Sequence, residues 1–306
     1  MKKAAIICSG QGSQYPGMGR ALYDAYPEAR RVYQCAEDIL GFSVSDISFN
    51  GSEEDLRRTR IAQPAIFTLS LAVYHVCRDN IPPVSAVCGH SLGEFAALCC
   101  AGAYSMEDGF RLIQARARAM DEVATDCPGA MCAIVGSSES AVEGACASHP
   151  GRVWAVNYNL PNQTVISGEA DAVAAVAEQL SAAGARAVPL AVSHAFHTEL
   201  MASAAQQFRA EISGIRFQQP TVDFYSNLTG GKYLPEDFGA YFAAHMTSPV
   251  RFVAQTGTMT ADGIDFCVEM GPGRAASTLM KKNVRAMTVC NVESPEQAQA
   301  LFAQLA

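Results

Sequence analysis

Val84-Ser85-Ala86-Val87-Cys88-Gly89-His90-Ser91-Leu92-Gly93-Glu94-Phe95-Ala96-Ala97-Leu98 is the stretch that decides the fold. Val84 to Gly89 is a short apolar run rich in small and β-branched residues, as expected of a strand buried on both faces of a parallel sheet. It runs without a spacer into Ser91 to Leu98, which reads as a helix. Gly89-His90-Ser91-Leu92-Gly93 therefore places a Gly-x-Ser-x-Gly pattern at a strand-to-helix turn, the context in which five letters become a nucleophile elbow. The glycines permit the tight turn. The Ser91 hydroxyl is then exposed at a helix N-terminus, and the Leu92 N–H points to where a tetrahedral oxyanion would form.

Working outward, Ala4 to Cys8 reads as a first strand and Gly10-Gln11-Gly12 as the turn after it. A helix is predicted from Gln63-Pro64, since proline suits a first helical turn, through the apolar Ile66 to Val76. Ser105 with Asp108 three residues on resembles a capping box and opens a helix to about Val123. At ~100° per residue, Phe110, Ile113, Ala117 and Met120 form its apolar stripe, with Arg111 and Arg118 on the far side. Arg116 lies on the flank of the buried stripe, where a guanidinium needs an anion or strong acceptors.

From Ala130 to Leu190 the pattern changes: strand Ala130–Val135, helix Ser138–Ser148, strands Arg152–Tyr158 and Gln163–Ser167, helix Ala170–Ala183, strand Arg186–Leu190. This β-α-β-β-α-β order is ferredoxin-like and reads as a small inserted subdomain, 128–192, with a turn at Pro128-Gly129. The large domain is then discontinuous, 1–127 and 193–306. Its second part carries strands at Val222–Ser226 and Asp265–Glu269, and a Gly271-Pro272-Gly273 turn that opens a final helix near Ala275.

The chain has 306 residues, 49% of them hydrophobic and 17% charged, with a formal net charge of −8. Disorder is excluded by this composition, and an acidic chain is poorly suited to phosphate backbones, so no nucleic-acid partner is expected. The run Ala4 to Cys8 is too short for a secretory signal, and no stretch reaches the ~20 apolar residues of a membrane helix. Eleven scattered cysteines without a C-x-x-C pair point to a reducing cytoplasm and to thiols acting as core residues; Cys88, Cys99 and Cys100 near the elbow are read that way.

A serine hydroxyl needs a base to accept its proton. Of six histidines, His75 falls in an apolar helix, His149 ends a surface helix, and His90 points off another part of the turn. His194-Ala195-Phe196-His197, after the last strand of the insert, is the best source of the base. The same H-x-x-H could hold zinc, but no third ligand stands at a convincing spacing, so no metal is expected.

Gly10-Gln11-Gly12-Ser13-Gln14, Gln63-Pro64-Ala65, Gly89 to Glu94, Arg116, Asn157 to Gly168, His197 and Glu269 to Gly273 resemble, in this order and over nearly the whole chain, the motifs of the malonyl-CoA:acyl carrier protein transacylases and related acyltransferase domains of fatty acid and polyketide synthases. The resemblance implies an α/β-hydrolase-like large domain with a parallel sheet plus an inserted ferredoxin-like subdomain. It implies Ser91 as acylated nucleophile, His197 as general base, the Gln11 and Leu92 amides as oxyanion donors, and the backbone carbonyl of His245 as the group that orients the imidazole. Arg116 matches the arginine that pairs with the malonyl carboxylate, and His90, Phe196, His194, Gln63 and Met120 belong to the substrate-binding set.

His194-Ala195-Phe196-His197 also resembles the tetrapeptide associated with malonyl rather than methylmalonyl units, with Phe196 supplying the bulk. The implied reaction moves a malonyl group from malonyl-CoA to the phosphopantetheine thiol of an acyl carrier protein, by a ping-pong route without a cofactor, in a cytoplasmic monomer serving fatty acid biosynthesis. A free-standing malonyl acyltransferase of a polyketide synthase and a serine hydrolase or thioesterase are the alternatives. Arg186, Lys281 and Lys282 are candidate contacts for the acidic carrier. The chain departs from the pattern at Ser9, where proline is common, at Leu160, where serine is common, and at His245, where Gln or Asn is common.

Overall fold

The computed structural model of the protein describes residues 3–126, 129–192 and 194–305. Five strands, β1 (Lys3–Cys8), β2 (Ala86–Gly89), β7 (Asp223–Phe224), β8 (Ile264–Met270) and β9 (Thr288–Val292), form one parallel sheet in the order β7-β2-β1-β8-β9. β1 occupies the centre, and Ala5 to Cys8 are buried because helices cover both faces. Cys8 stands opposite Gly89 on one side and Met270 on the other. The segments that leave β1, β2 and β8 therefore converge at one carboxyl edge, where open α/β sheets bind ligands.

The remaining strands, β3 (Gly129–Val135), β4 (Val153–Leu160), β5 (Gln163–Glu169) and β6 (Arg186–Pro189), form an antiparallel sheet ordered β4-β5-β3-β6, the ferredoxin-like arrangement. The helices Glu139–Ala147 and Ala170–Ala182 cover one face. Strand periodicity divides β3: Cys132 and Ile134 pack under those helices with Val142 and Val176, while Met131 and Ala133 point to the opposite face, toward the main core and the cavity described below. Hydrogen bonds from Val250 N–H to the Val156 carbonyl, 2.7 Å, and from Tyr158 N–H to the Val250 carbonyl, 2.9 Å, tie this sheet to the rest of the chain.

Several expected elements are corrected. The helix expected from Gln63 starts at Thr59, so Pro64 lies inside it. Proline costs that helix one backbone bond near its start, and fifteen of its residues, Thr59 among them, are buried and hold it in place. β2 begins at Ala86 rather than Val84, and the helix after the elbow begins at Gly93 rather than Ser91. The strand expected over Val222–Ser226 contracts to β7, because the Ser226 N–H turns to the Gly231 carbonyl, 2.9 Å, and the chain leaves the sheet. The helix Ala275–Asn283 is not the last element, since β9 and the helix Pro295–Leu305 follow it. The segment 13–58, left unassigned by the sequence, holds four helices, Arg20–Ala25, Pro27–Leu40, Val44–Asn50 and Glu53–Arg57. Gly129 opens β3, while Pro128 lies outside the described residues. Among the described residues no helix is long and apolar enough to cross a membrane.

The elbow is wedged against the sheet. A Cβ on Gly89 would overlap the Gly93 and Glu94 backbone, and one on Gly93 would overlap the Cys8 carbonyl of the central strand. Neither neighbour is a flexible side chain. Gly93→Ala is therefore expected to destabilise the protein by more than ~3 kcal/mol, beyond the common range for single substitutions. Urea unfolding of the variant against the parent chain measures this.

Candidate active site

Ser91 adopts a left-handed backbone, φ +51°, at the turn between β2 and the helix Gly93–Cys100. A non-glycine residue in that region stores of order 1–3 kcal/mol of strain and persists only where the surroundings impose it. Here Ser91 N–H donates to Asn227 Oδ1 at 2.7 Å, and Asn227 Nδ2 donates to the Gly89 carbonyl at 2.8 Å. Nothing in the sequence singled out Asn227. It follows Ser226 in the turn where β7 gives way, and its role comes only from the three-dimensional approach to the elbow.

The Ser91 hydroxyl lies 2.7 Å from His197 Nε2. On its other side, His197 Nδ1 faces two carbonyl oxygens, His245 at 3.1 Å and Ser248 at 3.0 Å. Carbonyls only accept, so the network assigns the ring proton to Nδ1 and leaves the Nε2 lone pair for the serine O–H. Both carbonyls come from the C-terminal end of the helix Phe238–Thr247 and its cap, where helical acceptors are unpaired and the helix dipole is negative. That end favours an imidazolium whenever one forms. The sequence pointed to His245 alone; the second acceptor, Ser248, immediately precedes Pro249.

His197 is itself left-handed, φ +64°, and only 4% exposed. Burial, then the neighbouring His245, Arg116 and His90, holds its pKa well below the ordinary histidine value, so the ring is neutral at pH 7. His90 and His245 are shifted the same way, mainly by burial. His90 Nε2 lies 2.7 Å from Asn159 Oδ1, which fixes that ring at the wall of the site.

Arg116 is 1% exposed, and its Nε and Nη1 have no hydrogen-bond partner among the described residues of the protein. Its guanidinium lies over the Phe95 ring, 4.9 Å from the centroid. Burial lowers its pKa to about 9, still above neutrality, so the group is a buried cation. Unsatisfied buried donors on a charge are costly, and the cost is offset when an anion enters.

A cavity of about 600 Å³ opens over these groups, lined among others by Gln11, His90, Ser91, Arg116, Met120, Phe196 and His197. Met131, Ala133, Asn157 and Val165 of the antiparallel sheet form its opposite wall. Gln63, His194, Leu92 and His245 of the sequence-derived set do not line it. Gln63 sits behind, its amide 3.4 Å from both Gln11 Oε1 and Met120 Sδ, and His194 stacks on Phe196 with ring centroids 4.8 Å apart. Leu92 is buried directly after Ser91, with its side chain in the core. Among the described residues no cluster of three or more metal-ligating side chains is present.

A serine at an elbow, a neutral buried imidazole aimed at its hydroxyl, and a chamber beside them together define a serine-dependent acyl-transfer enzyme. The acyl transferase domain family matches residues 5–297, and the chain belongs to that family. It is similar to the malonyl CoA-acyl carrier protein transacylase of Bacillus subtilis strain 168, with 35% identity over 301 residues, covering 97% of this chain and 95% of that one. The crystal structure of MCAT from Streptococcus pneumoniae superposes with a TM-score of 0.93 at 35% identity, over 99% of this chain and 100% of the other. PlMCAT, solved in complex with its type II polyketide synthase acyl-carrier protein, gives 0.95 at 32% identity, with 99% of both chains covered. The protein is an acyltransferase.

Burial of three neutral histidines has a measurable consequence. Their folded-state pKa values are lowered, so below about pH 6.5 the unfolded chain binds more protons than the folded one, and stability falls with pH there. Each contributes up to about 1.4 kcal/mol per pH unit once the unfolded histidine is protonated. Glu94, whose folded-state pKa is raised to about 8 from 4.5 by burial, acts with the opposite sign between those values. Urea midpoints from pH 8 to 5 are therefore expected to pass through a maximum near pH 7 and to drop below about pH 6.5, where three histidines outweigh one carboxyl. NMR of the His197 ring is expected to show no protonation at pH 6.

Proposed function

We propose that the enzyme moves a malonyl group from malonyl-CoA to the phosphopantetheine thiol of an acyl carrier protein through a malonyl-Ser91 ester. The observation that carries this reading is the buried Arg116 guanidinium with two unsatisfied groups beside the Ser91–His197 pair. A planar cation of this kind fits a carboxylate in paired hydrogen bonds. An acyl group with a free acid at its far end matches it in charge and in geometry, and a neutral acyl chain does not, which speaks against a general hydrolase.

In the first half-reaction Ser91 Oγ attacks the thioester carbonyl while its proton passes to His197 Nε2; the C–S bond then breaks and the departing CoA sulfur takes that proton. In the second, the phosphopantetheine thiol gives its proton to His197, attacks the malonyl ester, and Ser91 leaves as the hydroxyl. Electrons and protons balance without a cofactor. The Gln11 and Leu92 N–H groups are the proposed oxyanion donors, and the carbonyls of His245 and Ser248 stabilise the transient imidazolium. We assign the discontinuous segments 1–127 and 193–306 to the catalytic domain and 128–192 to the wall that closes the chamber.

We place the enzyme in fatty acid biosynthesis, as a cytoplasmic monomer. A polyketide assembly line is the second reading, favoured by the likeness to PlMCAT with its polyketide carrier protein. Transfer rates to a fatty-acid carrier and a polyketide carrier, compared under one condition, separate the two.

Intact-mass spectrometry after mixing with malonyl-CoA is expected to show one malonyl adduct that moves to added holo-carrier protein, with none on Ser91→Ala. An adduct released only as free malonate would overturn transfer. Arg116→Ala is expected to lower kcat/KM for malonyl-CoA by about 10²-fold or more, the worth of a lost charge-assisted pair, while leaving acetyl-CoA little affected. Equal losses for both donors would remove Arg116 from acid recognition. Phe196 is 6% exposed against the chamber, and Phe196→Ala is expected to narrow discrimination against methylmalonyl-CoA by about 10-fold, within the ~1–3 kcal/mol that one methyl commands.

A further inference from the structure

The Glu94 carboxyl is fully buried at the start of the helix Gly93–Cys100 and is hydrogen-bonded to neither Ser91 Oγ nor His197. Its Oε1 accepts the Asn227 N–H. Asn227 in turn holds the Ser91 N–H with Oδ1 and the Gly89 carbonyl with Nδ2, at 2.7 and 2.8 Å. The other oxygen, Oε2, accepts the Tyr241 hydroxyl at 2.8 Å and lies 3.1 Å from His245 Nε2. Tyr241 and His245 are four residues apart on one face of the helix Phe238–Thr247. The carbonyl of that same His245 receives the His197 Nδ1–H. One carboxyl thus reaches the nucleophile's backbone through one oxygen and the base's backbone acceptor through the other.

Stability alone does not account for it. A buried carboxyl without a cationic partner is expensive, and apolar residues of similar volume are often as stable or more so. Arg116, the nearby cation, makes no ion pair with it. Burial moves the Glu94 pKa up to about 8 and keeps His245 neutral, so the pair holds one proton at neutral pH and the network stays uncharged. The Ser91 backbone is strained, and strain of that kind is held only where surrounding contacts over-determine it.

We propose that Glu94 is a positioning residue for acyl transfer: through Asn227 it fixes the Ser91 backbone, and through Tyr241 and His245 it fixes the helix end that orients His197. The proposal rests on the Ser91–His197 assignment made under the proposed function. The test uses two reagents on the full chain, pre-steady-state acylation by malonyl-CoA and labelling by a fluorophosphonate, which requires only an activated Ser91. Without acylation of the parent chain the malonyl reading fails, while labelling still reports on Glu94.

Glu94→Leu, checked for folding by circular dichroism, is expected to slow both reactions by about 10²-fold, the cost of a misplacement near 1 Å, with the malonyl-CoA saturation constant unchanged within about twofold. Glu94→Gln keeps an acceptor for the Asn227 N–H and places a donor toward Tyr241 and His245, with the Tyr241 hydroxyl turned to donate to Ser226 Oγ, and is expected to restore most of the rate. Asn227→Ala, which cuts the link to Ser91 without altering the helix, is expected to be slow as well and decides the matter if Glu94→Leu does not fold. A folded Glu94→Leu or an Asn227→Ala with near-parental rates overturns the proposal. So does a change confined to the saturation constant, or a Glu94→Gln as slow as Glu94→Leu.

Discussion

The left-handed turn at Ser91 is the constraint on which the rest of the site depends. It exists because β2 ends within van der Waals contact of a helix that is itself pressed onto the central strand, leaving room for hydrogen atoms and nothing larger at residues 89 and 93. The serine between them is pushed out of the sheet edge, and its N–H is claimed by Asn227. Everything else is arranged around a hydroxyl whose position is set by backbone crowding and not by its own side-chain contacts. His197, also left-handed, arrives from a different part of the chain and is pinned from behind by two carbonyls.

The chamber joins two opposite electrostatic demands. The imidazole must stay neutral to accept a proton, and burial among other neutral rings ensures that. The guanidinium must stay charged for the acid-binding role proposed for it, and its intrinsic basicity survives the same burial. Because Arg116 also depresses the His197 pKa, the cation that would recognise the substrate helps to keep the base unprotonated in the empty enzyme. An arriving carboxylate would partly cancel that field, making the imidazole more basic as the donor binds.

Much of this was legible in the sequence where the chemistry is local. The elbow, the β-α-β-β-α-β insert and the odd position of Arg116 follow from spacing and periodicity, because each depends on residues within one or two turns of chain. Four helices between Gly12 and Thr59 were not read, although Pro27 at a first helical turn, Gly41 at a helix end, φ +76°, and the Ser52–Asp55 capping box mark them. Three of them, of five to seven residues, are too short for a strong period, whereas Pro27–Leu40 carries a legible apolar face, Ala29, Val32, Tyr33, Ala36 and Leu40, that the sequence reading passed over. β9 was missed because a five-residue edge strand offers little alternation. Asn227 and Ser248 could not be read at all: each acts through a backbone approach more than fifty residues away in sequence or through a main-chain carbonyl, which no side-chain pattern records.

The alternation along β3 has an evolutionary corollary. Met131 and Ala133, with Val165 across the strand pair, face the chamber, whereas Cys132 and Ile134 hold the small sheet to its own helices. The nucleophile, the base and the groups bound to them all sit on the other module. Beside Arg116 and Phe196 on the large domain, this wall is a second place where the chamber's shape can change, at alternate residues of one strand, without touching the Ser91–His197 pair or the face that holds the subdomain's own helices.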